Sequence, residues 1–328
     1  MVSIFKANAP QNNFLLLAYG LILKLPTFLH PVLSLPKEGD GILYKGLFNL
    51  LSFGGNGIPL LYNIVAFLLL YFQAIVLNKL VNNQRLLPKP TYLTGMSFLL
   101  VTSIFPSWIG FSAPLLVITL LIWLLSRICS LYNNQEVKKT LFNIGLSMGL
   151  CTLLYFPSVI FSLLLLSGLA ITRTFKLPEW IIMIVGMLTP YYFLWSYGYI
   201  TGNSQILHNP PFALSKPVVS QSTLENIALM LVLFSFFVGL YYIQSNMRRL
   251  LAQSRKTWSI LYLFLLISLV LPFLNAQPDF LYWQLTAVPL SAILAAVFLY
   301  SESKWFVTLL HWSMVIVVGI EGYFYLAH

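Results

Sequence analysis

Long apolar runs separated by short polar connections dominate the chain from Phe14 to Leu326. At roughly 20 apolar residues per membrane-spanning helix, they predict about eleven spans, at 13–33, 57–80, 91–106, 112–132, 140–155, 157–172, 178–200, 224–244, 257–274, 281–300 and 305–326. Two of these, 91–106 and 140–155, fall short of spanning length. Each ends in an uncharged aromatic turn, Phe105-Pro106-Ser107-Trp108 or Tyr155-Phe156-Pro157-Ser158, of the kind found at a membrane interface. The pattern changes over 41–53, where Lys45, Asn49 and Ser52 recur at helical spacing opposite Leu43, Tyr44, Leu47, Phe48 and Leu51. Such a helix lies in the interface rather than crossing it. The glycines and Pro59 of the 54–59 stretch end it.

Composition agrees with this pattern. Residues are 59% hydrophobic and only 8% charged, with a mean hydropathy of +0.85, which excludes a soluble domain that must cover itself with polar side chains. The fold expected is all-α, a single polytopic transmembrane bundle over 1–328. Phe14 to Leu33 reads as a retained first span, because no cleavable leader pattern precedes it. Cys129 and Cys151 fall in or beside apolar spans and read as inert packing.

The eighteen Lys and Arg residues fix the orientation. With a cytoplasmic N-terminus, Lys6, Lys79, Arg85, Lys89, Arg127, Lys138, Lys139, Arg173, Lys176, Arg248, Arg249, Arg255, Lys256 and Lys304 fall on the inner side. Only Lys37, Lys45 and Lys216 fall outside, and Lys24 lies within the first span. The net charge of +10 is then explained by orientation and anionic lipid headgroups, with no nucleic-acid partner. The outer side carries two sizeable connections, 34–56 and 201–223, and the shorter 275–279. The second is polar and proline-rich, holds His208 and Lys216, and suits a loop over a cavity mouth.

Chemistry concentrates in the first of these. Only eight residues are acidic, and Glu38 and Asp40 stand together just before the interfacial helix. Asp40 and Asp279 are the only aspartates, and the topology puts both on the outer side. No Gly-rich nucleotide signature and no Cys/His metal cluster occurs.

This arrangement resembles the GT-C superfamily of membrane glycosyltransferases, which take a sugar from a polyprenyl-phosphate carrier on the outer face of the membrane. Glu38-Gly39-Asp40 followed by Tyr44 and the 41–53 helix resembles their acidic first-loop motif with its juxtamembrane helix. Residues 143–150 (NIGLSMGL), then Tyr155-Phe156-Pro157 and Arg173, are similar to their glycine-rich helix pair with an inner arginine. Residues 281–285 (LYWQL), leading to the alanine-rich 289–296, resemble their late tyrosine-led helix. Two features depart from that pattern. Asp279 and Phe280 stand where those enzymes often carry an arginine, and no large outer soluble domain follows. The chain also resembles a bacterial multi-pass membrane family that brings no function with it, and a bacterial inner membrane is the location expected.

The GT-C resemblance implies Asp40 as the general base that activates an acceptor hydroxyl, with Glu38 orienting it or sharing a divalent cation. It implies a cation for the leaving phosphate, from Lys37, Lys45, Lys216 or a snorkelling Lys24. Tyr44, His208, Tyr282 and Trp283 would contact sugar or acceptor, and grooves between spans would hold the prenyl chain.

Plainer readings stand beside these. Glu38 and Asp40 are also what a solvated helix N-terminus attracts, and Lys45 suits lipid headgroups. Asp279 can be a loop acid or a cap, His208 a solvated loop histidine, and Tyr282 and Trp283 an aromatic belt. Lys24 can bond a carbonyl freed by Pro26. His311 and Glu321 on the last span are costly to expose to lipid. Three classes stay open: the glycosyltransferase, a non-catalytic relative in envelope assembly with membrane-protein partners, and a transporter or flippase. The last usually shows two similar halves, which the chain does not.

Overall fold

The computed structural model describes all residues except 32–34, 38, 54–57, 134–135, 203–213, 220–221, 276 and 328. Fourteen α-helices run through the described residues. They are α1 (Val2–Phe5), α2 (Asn12–Leu23), α3 (Leu25–Leu29), α4 (Ile42–Phe53), α5 (Pro59–Asn83), α6 (Leu93–Ile104), α7 (Ala113–Ser130), α8 (Val137–Leu154), α9 (Ser162–Thr172), α10 (Leu177–Ile200), α11 (Thr223–Asn246), α12 (Ala252–Val270), α13 (Ala287–Tyr300) and α14 (Lys304–Ala327). Among these residues there is no strand, only an isolated bridge between Asp40 and Tyr155.

Helices occur in every segment where the apolar pattern predicts a span, but seven of them are long and apolar enough to cross a membrane. The difference lies in length. Twelve residues of α2 or α6 rise about 18 Å, well under the roughly 30 Å of hydrocarbon, and residues 156–172 are also short. Short helices survive in such a setting where protein rather than lipid surrounds their ends. In α6 all twelve residues are buried, with α2, α5, α13 and α14 packed around it.

The predicted span 13–33 holds, among its described residues, two helices that break at Lys24, with Pro26 inside the first turn of α3. Lys24 is fully buried. Its ammonium reaches the carbonyl oxygen and Oγ1 of Thr102 at 3.3 and 3.4 Å, at the C-terminal turn of α6, where carbonyls lack intrahelical partners. The carbonyl that receives it comes from α6 and not from the proline break. His311, also buried, shares a 3.2 Å hydrogen bond with the Tyr19 hydroxyl, tying α14 to α2.

The glycine-rich segment of α8 is a packing seam. A Cβ on Gly145 would lie 2.1 Å from the Met183 oxygen, one on Gly149 2.4 Å from the Met187 oxygen, and one on Gly186 2.4 Å from the Phe142 oxygen. Only glycine lets α8 and α10 approach this closely. Both cysteines are buried and unbridged.

Candidate functional site

At one end of the bundle the start of α4, the end of α8 and the segments after α12 converge. Three helices reach this end with a proline at the break. After α6, Phe105 turns extended before Pro106–Trp108; after α8, Tyr155 does so before Phe156–Phe161; after α12 the chain winds through Leu271–Leu274. Proline cannot continue a helix, so each break delivers an aromatic or polar side chain inward.

The connection before α4 is drawn onto one of these breaks. Asp40 pairs with Tyr155 in an antiparallel bridge, and the Gly41 N–H donates to the Leu154 oxygen at 2.9 Å. A Cβ on Gly41 would stand 2.0 Å from the Leu153 oxygen, so glycine is obligatory for the approach. Asp40 is only 7% exposed as a result. Its Oδ2 accepts the Lys37 main-chain N–H at 2.7 Å, and its own N–H donates to the Lys37 oxygen at 3.1 Å. Burial pushes the Asp40 carboxyl above the usual aspartate range. The Lys37 N–H and the charges of Lys37 and Lys45 oppose that rise.

The Lys37 side chain turns the other way and forms an ion pair with Asp279 Oδ2. Asp279 also caps the Phe280–Thr286 turn, its Oδ1 accepting the Leu281 N–H at 2.8 Å. The Lys37 ammonium lies 5.8 Å from the centre of the Tyr282 ring, within range of a cation–π contact. Tyr282 in turn stacks on Tyr155, with centroids 5.4 Å apart and planes at 13°. The Tyr155 hydroxyl donates to Asn275 Oδ1 at 2.5 Å, and Asn275 Nδ2 donates to the Leu271 oxygen at 3.1 Å. Ser215, on the extended segment 214–219, donates its hydroxyl to the Asn275 oxygen, and Trp283 Nε1 donates to the Val218 oxygen at 2.8 Å.

Behind the Phe280–Thr286 turn lies an apolar cavity of about 260 Å³. Trp108, Phe280 and Trp283 form its wall toward the polar site, and α11 and α12 its far side. The wall is held by Trp108 Nε1 donating to the Phe280 oxygen at 3.2 Å and by Gln284 Nε2 donating to the Trp108 oxygen at 2.6 Å.

Of the residues singled out in the sequence, Asp40, Lys37, Asp279 and Tyr282 are therefore brought together, and Trp283 lies between them and the cavity. Tyr44 is buried in a ring cluster. It stacks on Phe111 at 5.7 Å and donates its hydroxyl to the Phe111 oxygen at 3.2 Å, which anchors α4. Lys45 is exposed on α4 and Lys216 on the 214–219 segment. Glu38 and His208 lie outside the described residues. Tyr155 and Asn275 were not among the predicted site residues. Their signal in the sequence was an aromatic immediately before a Phe-Pro break and an amide just beyond an apolar span.

Among the described residues no three His, Cys, Asp or Glu side chains converge as a metal site. A divalent cation at this place would have the carboxylates of Asp40 and Asp279, both of which already bond to Lys37.

Composition, helices and the absence of strands among the described residues define a multi-pass membrane protein of all-α architecture. The chain belongs to the DUF6427 family, a family of unknown function, which it matches over residues 43–327. No curated protein and no solved structure matches it.

Proposed function

We propose that the protein is a membrane glycosyltransferase of GT-C type. It transfers a sugar from a polyprenyl-phosphate donor to an acceptor at the outer face of a bacterial inner membrane, with Asp40 as general base. The observation that carries the reading is the buried Asp40 carboxyl, tethered to the Lys37 main chain, with the Lys37 ammonium and a tyrosine pair in the same cluster. A base of raised pKa, held in place by two hydrogen bonds to Lys37, is suited to accept a proton from an acceptor hydroxyl. Lys37 is the nearest cation for the phosphate that gains charge as it leaves. The Tyr155 and Tyr282 rings offer a stacking surface, and the apolar cavity behind Trp283 offers room for part of a hydrocarbon chain. In this reading the short helices complete eleven passages of one domain. A divalent cation shared by Glu38 and Asp40 belongs to the same proposal.

A second reading, a non-catalytic membrane subunit of an envelope assembly, is favoured by one observation. Asp279 already neutralises Lys37, and it stands where an arginine would add a cation. Transfer of labelled sugar from a polyprenyl-phosphate donor in proteoliposomes separates the two. The enzyme loses at least a hundredfold in rate on Asp40→Asn, whereas a subunit shows no transfer with either protein and assembles its complex with both.

A further inference from the structure

The opposite end of the bundle carries a second, unrelated constellation. α5 runs 25 residues away from the Asp40 end and α12 runs 19 residues toward it, so the end of α5 and the start of α12 meet far from the candidate site. There the first turns of α12 are clamped onto the connection after α5. Ser254 Oγ lies 2.9 and 3.0 Å from the main-chain oxygens of Gln84 and Arg85, Gln253 Nε2 donates to Gln84 Oε1 at 2.9 Å, and Trp258 Nε1 donates to the Leu86 oxygen at 3.3 Å.

This clamp holds Arg85 at φ +48°, the only non-glycine residue with positive φ among the described residues. Glycine or asparagine adopts that conformation at less cost, so the arginine is not there for the turn. It brings a guanidinium to a connection already next to Arg255 and to the turn that carries Arg248 and Arg249. All four arginines are exposed, and among the described residues none forms an ion pair. No acidic residue occurs in 80–92 or in 245–260. The α12 N-terminus adds the positive end of its dipole to the same surface instead of offsetting it. Leu251, between the arginine pair and α12, is 56% exposed.

We propose that Arg85, Arg248, Arg249 and Arg255 form a binding site for the headgroup phosphate of an anionic phospholipid. Guanidinium forks pair with phosphate oxygens, and the exposed Leu251 offers an apolar contact for the start of an acyl chain. That apolar side chain among the arginines is what favours a lipid over an acidic protein.

The test is a titration of the detergent-solubilised full chain with spin-labelled phosphatidylglycerol and phosphatidylcholine. Phosphatidylglycerol binds at least about tenfold more tightly, and each of Arg85→Asn, Arg248→Gln and Arg255→Gln lowers its affinity about fivefold. Arg85→Asn keeps a residue suited to the left-handed backbone, so its loss of affinity reads the charge and not the fold. Lys138→Gln with Lys139→Gln, removing two exposed cations elsewhere on the same side, leaves the affinity unchanged. Equal binding of the two lipids, an equal loss in the Lys138/Lys139 control, or full competition by inorganic phosphate at the lipid's own concentration would overturn the proposal.

Discussion

Lys37 and Asp279 stand 242 residues apart in the chain and are joined side chain to side chain, which fastens the connection before α4 to the turn that carries Tyr282. The lysine bonds Asp40 through its main chain and Asp279 through its ammonium, so a single residue couples both aspartates of the protein.

Both partners of that pair are about one-third exposed, so its contribution to stability is small, about 0–1 kcal/mol. Asp279→Asn keeps an oxygen to cap the Leu281 N–H and frees Lys37. The expected outcome is a near-unchanged melting temperature and tighter binding of a polyprenyl phosphate. Asp279→Ala removes the cap as well and costs about 1 kcal/mol more, measured by denaturation in the same detergent.

Gly41→Ala tests the closeness of the Asp40 and Tyr155 segments. The added methyl meets the Leu153 oxygen, so the bridge must open or the end of α8 must shift. A loss of about 1–3 kcal/mol follows, with transfer activity falling together with it. Gly39→Ala, whose Cβ meets nothing within 4 Å, is the control and leaves stability nearly unchanged.

Tyr155→Phe keeps the stack on Tyr282 and deletes only the hydroxyl. Asn275 Oδ1 is then left buried without its donor, at a cost of about 1–3 kcal/mol. Tyr155→Phe with Asn275→Leu removes both partners and recovers most of that loss, as a double-mutant cycle will read.

The Asp40 carboxyl sets a pH dependence. Its pKa in the folded protein lies above that of the unfolded chain because burial disfavours the charge. The folded state therefore binds more protons than the unfolded state between the two values, and stability falls as pH rises through that window. Asp40→Asn removes this loss. The variant melts higher than the parent at neutral pH, and the gap closes below the ordinary aspartate pKa, near 3.9. Transfer by the parent rises with pH as Asp40 ionises and levels off above its folded pKa.

Helix α4 was the most legible element. Its polar positions fall on one face, and α4 occupies Ile42–Phe53 against an expected 41–53. The topological argument that set Asp40 and Asp279 on one side agrees with the lysine that joins them. Span lengths were less legible, because hydropathy cannot tell a helix that crosses lipid from one such as α6 that protein surrounds entirely. The partner of Lys24 was hidden for a related reason, since the last carbonyls of α6 come near it only through tertiary packing. Tyr155 and Asn275 carry no charge or motif of their own. Their place in the site comes from three proline-broken helix ends meeting at one end of the bundle, which one-dimensional patterning does not encode.

The most direct measurement is an electron cryomicroscopy map of the protein with a polyprenyl phosphate bound. Phosphate density within hydrogen-bond reach of the Lys37 ammonium and beside Asp40, with the first part of the chain entering the cavity behind Trp283, is the predicted result. A phosphate seated elsewhere, with Lys37 still paired to Asp279 and Asp40 remote from the lipid, would contradict the account.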